Sequence, residues 1–234
     1  MNGRSAWIIA LGLTLAALVF GLLFKSARSG DRTVRVVGSA DKMFDTDILK
    51  WTLELGRQSS GVEVSSEYAA LRTDLAEVSR RLAEIGVTES DIVLTPPVSY
   101  PTFRNDGQVV GYQISQTVNV VTRQVEAVEK LALNPEGTLS SGTVLRSSQL
   151  QYFYSGVEEL KRELLGDAAL DARRRAESIA SSSNLKVGSI REARAGVFQI
   201  TEPYSTEVQD YGIHNTSSKK KQVRVTVHAV FGLE

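Results

Sequence analysis

The chain of 234 residues contains no cysteine. Disulfides, thiolate nucleophiles and thiolate metal ligands are therefore excluded, but the compartment stays open, because an oxidising space permits disulfides without requiring them. Histidine is almost as scarce. His214 lies in a polar stretch and His228 on the outward face of the last strand, so no histidine pair stands at metal spacing on one helix face. A glycine-rich phosphate cradle and a Gly-x-Ser-x-Gly elbow are also missing. Neither sign of charge is in excess: Lys and Arg total 27, as do Asp and Glu, and beyond residue 30 the balance is 24 basic against 27 acidic. That is not the footprint of a nucleic-acid binder. These absences predict no catalytic residue, no cofactor and no metal site, hence no enzyme.

What is present is ordinary globular material, with 42% hydrophobic and 23% charged residues, enough to build a sizeable core and to exclude wholesale disorder. The long apolar run is confined to the N-terminus. Ala6–Phe24 is 19 residues without a charge, with Thr14 as its one hydroxyl, bounded by Arg4 and Lys25. At ~1.5 Å per residue it covers roughly 28 Å, close to the ~30 Å hydrocarbon core of a bilayer. A cleaved signal peptide has a shorter apolar core and small residues at its cleavage site. Here the candidate site after Ala27 has Lys25 where a small residue is wanted. An uncleaved transmembrane helix is expected, with residues 1–30 as anchor and short linker and 31–234 as the body; cleavage would instead release a secreted form. Counting positive charges would put the body in the cytoplasm, whereas the short N-terminal tail argues the reverse.

Along the body, Val34 and Val36 open a strand ending at Gly38, and Trp51, Leu53 and Leu55 alternate with Thr52 and Glu54 in a second. Ser60 and Glu63 form a capping-box pattern ahead of Val64, Tyr68, Leu71, Leu75, Val78, Leu82 and Ile85, an amphipathic helix that stops at Gly86. Ile92–Phe103 reads as an edge strand interrupted by Pro96, Pro97 and Pro101, followed by an Asp106-Gly107 turn and a return strand through Tyr112, Ile114, Val118 and Val120. Thr122 then caps a short helix carrying Val125, Val128 and Leu131, ended by Asn134-Pro135, and Val144–Tyr154 is again a strand. Ser155 and Glu158 repeat the capping-box pattern before a helix in which Ala168, Ala172, Ala176 and Ala180 recur every fourth residue. That spacing stacks methyl groups on one face and permits close approach of another backbone. Val187–Ile200 is strand-like, Glu202–Lys221 a long polar loop, and Val223–Phe231 a strong final strand. The order ββαββαβαββ predicts an α+β body of two sub-lobes that share strands. Its sheets are largely antiparallel and carry two long helices and one short helix.

These same segments resemble the SIMPL-domain family. The resemblance is carried by Thr33-Val34-Arg35-Val36-Val37-Gly38, by Gly111–Val118, by the alanine helix running into Leu185–Ile190, and by the valine-rich terminal strand, in that order over residues 32–234. Family members often have a Pro-Asp pair where this chain has Asp45-Thr46-Asp47, and commonly a glycine near the place of Asn184, which can also adopt a left-handed cap. The resemblance implies a bacterial envelope protein of unestablished activity, periplasmic on the body side of an inner-membrane anchor, able to form large oligomers and loosely linked to oxidative-stress tolerance. It assigns no catalytic residues.

The remaining polar clusters each have a functional and a plain reading. Asp41, Asp45 and Asp47 offer oxygen ligands for calcium but lack calcium-loop spacing, and solvated loop carboxylates are the simpler expectation. Arg173-Arg174-Arg175 would suit an acidic partner or simply face solvent. Lys219-Lys220-Lys221 would touch anionic lipid or guard the hydrophobic strand after it against aggregation. Tyr152, Phe153 and Tyr154 include core aromatics and one ring free for contact. Two functions remain: a tethered, self-associating interaction protein that scaffolds envelope partners, or a small-ligand or lipid-binding module with a pocket between the long helices and the sheet.

Overall fold

The computed structural model describes residues 3–28, 32–61, 63–135, 139 and 141–234. Of the expected linker, residues 29–31 lie outside that set. The first element is a helix, α1 (Gly3–Arg28). Its described side chains, Trp7 and residues 11–24, are all exposed. Among the described residues no helix is long and apolar enough to cross a membrane, a statement that does not extend to β-barrels.

The rest of the chain is α+β and falls into two compact units: Asp41–Leu164 with Val197–Val225, and Met1–Ala40 with Leu165–Gly196 and Thr226–Glu234. The elements after α1 are β1 (Thr33–Asp45), β2 (Ile48–Gln58), α2 (Ser65–Glu84), β3 (Ile92–Leu94), β4 (Val98–Phe103), β5 (Val109–Thr122), α3 (Val125–Leu133), β6 (Val144–Phe153), α4 (Val157–Ser181), β7 (Val187–Ala195), β8 (Gln199–Thr201), β9 (Ile213–His214) and β10 (Lys220–Leu233). One sheet runs β3-β5-β2-β6, with β4 also on β5; the other runs β1-β10-β8-β9, with β7 also on β10. The described pairings are antiparallel except β8 with β9.

In the larger unit the period-2 signal of β2 sends Leu49, Trp51, Leu53 and Leu55 to one face, beside Ile114, Val118 and Val120 of β5. Helices α2 and α3 cover that face with Leu71, Leu75, Val78, Leu82 and Val128. Lys50, Thr52 and Glu54 point the other way. Beneath α2, the Arg57 guanidinium donates to Asp74 (2.7 Å), Glu67 (3.0 Å) and Thr143 (2.9 Å), and the Thr143 hydroxyl donates in turn to the buried Asp74 carboxylate (2.6 Å).

The smaller unit is built on the alanine ladder. Ala168, Ala172, Ala176 and Ala180 are all buried, and Ala172 and Ala176 pack with Val34, Val36, Ala229 and Phe231. The strand opened by Val34 and Val36 does not end at Gly38 but passes through it. A Cβ there would lie 2.1 Å from the Ala168 carbonyl oxygen and 2.3 Å from the Ala172 nitrogen. Glycine is needed because β1 presses against the backbone of α4 that the ladder bares.

Several boundaries differ from the sequence pattern. Ser60 does not cap α2, which starts at Ser65; Glu63 instead accepts from the Ser65 N–H (3.2 Å). Ser155 is turned away from α4 toward Asp47. Thr122 accepts from the Gln124 N–H (3.2 Å) just ahead of α3. Pro96 and Pro97 split the expected Ile92–Phe103 strand into β3 and β4, and 196–198 separate β7 from β8. In the hairpin turn Gly107 alone carries a positive φ (82°), Asp106 accepting from the Gln108 N–H instead. The pattern also missed a 3-10 turn at Glu89–Asp91, where the Asp91 carboxylate accepts the Thr88 N–H (3.1 Å) and hydroxyl (2.9 Å).

Candidate functional site

The polar clusters named from sequence do not gather into a reaction centre. Asp47 accepts the Ser155 N–H (2.7 Å) and its hydroxyl, and Arg123 stands 3.8 Å away. Partial burial opposes ionisation of Asp47, but these partners outweigh it and hold the carboxylate below its usual pKa. Asp41 accepts instead from Gln222 (2.7 Å). Among the described residues no three His, Asp or Glu side chains converge as a metal site would require. On α4, Arg173 pairs with Glu177 (2.9 Å) and Arg175 with Asp171 (2.8 Å), one turn away in each case. The arginine run is thus a solvated face laced by carboxylates. His228 is exposed on β10, as its alternation predicts.

The lysine run divides. Lys220 is exposed, and Lys219 reaches Glu126 and Glu129, both at 3.3 Å. Lys221 is 1% exposed, which corrects its expected place at the end of a solvated loop. Strand β10 already begins at Lys220, and period 2 carried back from Val223 places Lys221 on the inward face. The lysine triplet hid that signal. The aromatic triplet divides as well. Tyr152 is buried and donates to Glu129 (2.6 Å), and burial first, then this carboxylate, pushes its hydroxyl pKa up.

Phe153 and Tyr154 instead wall a cavity of about 110 Å³. Phe44, Val157 and Ile200 complete its apolar lining, with Lys221 and His214 as its polar members. The Phe44 and Tyr154 rings lie 5.0 Å apart, and His214 meets Phe153 edge-on at 6.4 Å. The expected polar loop supplies this wall through β9, whose two residues pair with β8. Lys221 Nζ donates to the Asn215 carbonyl (2.5 Å). Burial pushes its pKa down to about 8, with Glu202 only partly restoring it. His214 is also lowered, by desolvation and by the Lys221 and Lys161 charges. Its neighbour Lys161 is paired to Glu158 (2.7 Å).

Two surfaces of the same unit are open. The first is the β4–β5 hairpin, which exposes Val98, Tyr100, Phe103 and Val109. Pro101 within β4 removes a donor from that strand. The second is the outer edge of β6. Antiparallel pairing with β2 occupies one side of this strand, and on the other the Tyr152 N–H donates to the Thr216 carbonyl (2.8 Å). Its alternation then directs the Leu150 and Ser148 N–H groups outward. The strand contains no proline, and Arg146, its one charged residue, lies 3.6 Å from Glu54.

A family model described as SIMPL, a protein of unknown function (DUF541), matches residues 34–231. No curated protein matches. Among solved structures, the chain is similar to an uncharacterized conserved protein from Listeria innocua at 14% identity and a TM-score of 0.21, over 89% of this chain and 98% of that one. A structure described as a hydrolase from the same organism shows 13% identity and a TM-score of 0.22 over the same shares.

Proposed function

The chain belongs to the SIMPL family, whose function is not known, and we propose that it is a non-enzymatic, membrane-tethered module that associates with copies of itself to scaffold envelope partners. The observation that carries this reading is the outer edge of β6, which among the described residues pairs with no further strand and is capped only at Tyr152 by Thr216. Its remaining outward N–H and C=O groups suit main-chain pairing. The occupant is a second copy of the chain, because β6 set antiparallel to itself extends the β3-β5-β2-β6 sheet across a two-fold axis. Arg146 is the one charged residue each copy brings to such pairing, and Glu54 offsets it. The β4 edge is the poorer candidate, since Pro101 interrupts its donors.

The tether is the Ala6–Phe24 segment of α1, with the body outside the cytoplasmic membrane. Support comes from the apolar run in the sequence and from the exposure of Leu11, Leu15, Leu18, Phe20 and Leu22. Confinement to a membrane raises the local concentration of bodies, so a modest edge-to-edge affinity suffices. Static light scattering of the full chain in detergent tests the association. A dimer or larger assembly that the double variant Ser147→Lys/Gln149→Lys reduces to monomer is expected. A monomeric wild-type chain at micromolar concentration would contradict the proposal.

A further inference from the structure

The buried ammonium of Lys221 is chemically incomplete. It has three donors. Among the described residues it makes one hydrogen bond, to the Asn215 carbonyl, and no ion pair within 4 Å. Glu202 acts on it only through space. A lysine at 1% exposure is rare unless paired, and its unshared donors face the cost of a buried, unsatisfied charge. The side chain lines a cavity whose other walls are mostly hydrocarbon. An apolar chamber with one cationic end is complementary to a small amphiphile with an anionic head.

We propose that this cavity binds a short-chain carboxylate, with its chain against Phe44, Phe153 and Ile200 and its carboxylate on the Lys221 ammonium. Size sets the chain length. Cavities near 150 Å³ accept benzene, about six non-hydrogen atoms, so about 110 Å³ takes roughly four or five. Around the head group Lys161 and Glu158 neutralise each other, His214 is held toward its neutral form, and Glu202 acts on Lys221 only through space, so the Lys221 ammonium is the group left to meet an anion. A carboxylate would favour the protonated forms of both Lys221 and His214, so binding should draw protons from solution.

The test is calorimetric titration of the full chain in detergent with propionate, alongside its neutral isostere propionamide. Propionate is expected to bind with high-micromolar to millimolar affinity, and propionamide at least tenfold more weakly. Propionate affinity should also fall about tenfold between pH 7 and pH 9, as a group titrating near 8 loses its proton. Lys221→Met should abolish the preference for propionate. In case that variant does not fold, Val157→Phe keeps the lysine and fills the chamber, and it too should remove binding. Equal affinity for the two probes, no heat from propionate at 20 mM (on the order of the weakest affinity such a small ligand would show), or undiminished binding by Val157→Phe would overturn the assignment. None of these outcomes depends on whether the bodies associate.

Discussion

Replacing Gly38 with alanine is the sharpest perturbation of the smaller unit. The added methyl would sit 2.1 Å from the Ala168 oxygen, 2.3 Å from the Ala172 nitrogen and 2.7 Å from the Ala172 Cα. Ordinary van der Waals contacts of a Cβ fall at 3.4–4 Å, so β1 and α4 must separate by roughly 1 Å or more. The obstructing atoms are helix backbone and have no rotamer by which to escape. Overpacking typically costs 1–3 kcal/mol and occasionally more, and a backbone clash belongs at the upper end, about 3 kcal/mol. For a chain of this size that lowers Tm by roughly 6–12 °C. Gly166 on α4 supplies the control. A Cβ there meets nothing within 4 Å, so Gly166→Ala should stabilise by ~0.5–1 kcal/mol through helix propensity alone. Thermal melts of the full chain followed by far-UV circular dichroism measure both. If Gly38→Ala melts within 1–2 °C of wild type, the ladder is not a site of close strand–helix approach and the reasoning fails.

Overpacking the ladder directly, by Ala172→Leu, should destabilise by ~1–3 kcal/mol in the same melts. Asp74→Ala leaves the Arg57 charge short of a partner beneath α2 and should cost about 3–5 kcal/mol, while Arg57→Met combined with Asp74→Leu should be milder than the single change. Ser60→Ala should be nearly neutral in urea denaturation, within ~0.5 kcal/mol, because Ser60 lies outside the first turn of α2. Lys221 makes stability depend on pH. Its folded pKa lies below the unfolded one, so the unfolded chain binds more protons between about pH 8 and pH 10.4. Wild-type stability should therefore rise relative to Lys221→Met across that window, by at most ~1.4 kcal/mol per pH unit. A flat difference would contradict burial of this ammonium.

Strong periodicity made much of this fold legible. The 3.6-residue pattern of α2, the four-residue ladder of α4 and the alternation of β2, β5 and β10 each correspond to an element whose predicted face is buried. Signals that depend on one side chain's geometry were less reliable. Ser60-x-x-Glu63 and Ser155-x-x-Glu158 have capping-box spacing, yet neither serine caps, because α2 begins later and Ser155 is captured by Asp47 from the β1–β2 corner. Long-range partnerships of that kind leave no local pattern. Lys221 and Gly38 occupy an intermediate class. Each lies two residues beyond a clear alternation, and extending the period would have turned both inward. A charge triplet masked the first, and the habit of reading glycine as a strand end masked the second. The cavity was not legible, since its walls come from β1, β6, α4, β8, β9 and β10, joined only by folding.

Because the native chain has no cysteine, a single introduced thiol reports on the central claim without background. Cysteines placed one at a time at positions 145–151, in the full chain in native membranes, should give an intermolecular disulfide. Its yield should peak at the one or two positions nearest the two-fold axis and fall away on both sides, because antiparallel pairing sets a residue opposite its own copy only at that axis. A cysteine at Ser182, beyond the end of α4, should give none. Equal yields at all positions, or no crosslink anywhere along β6, would contradict self-association through this edge.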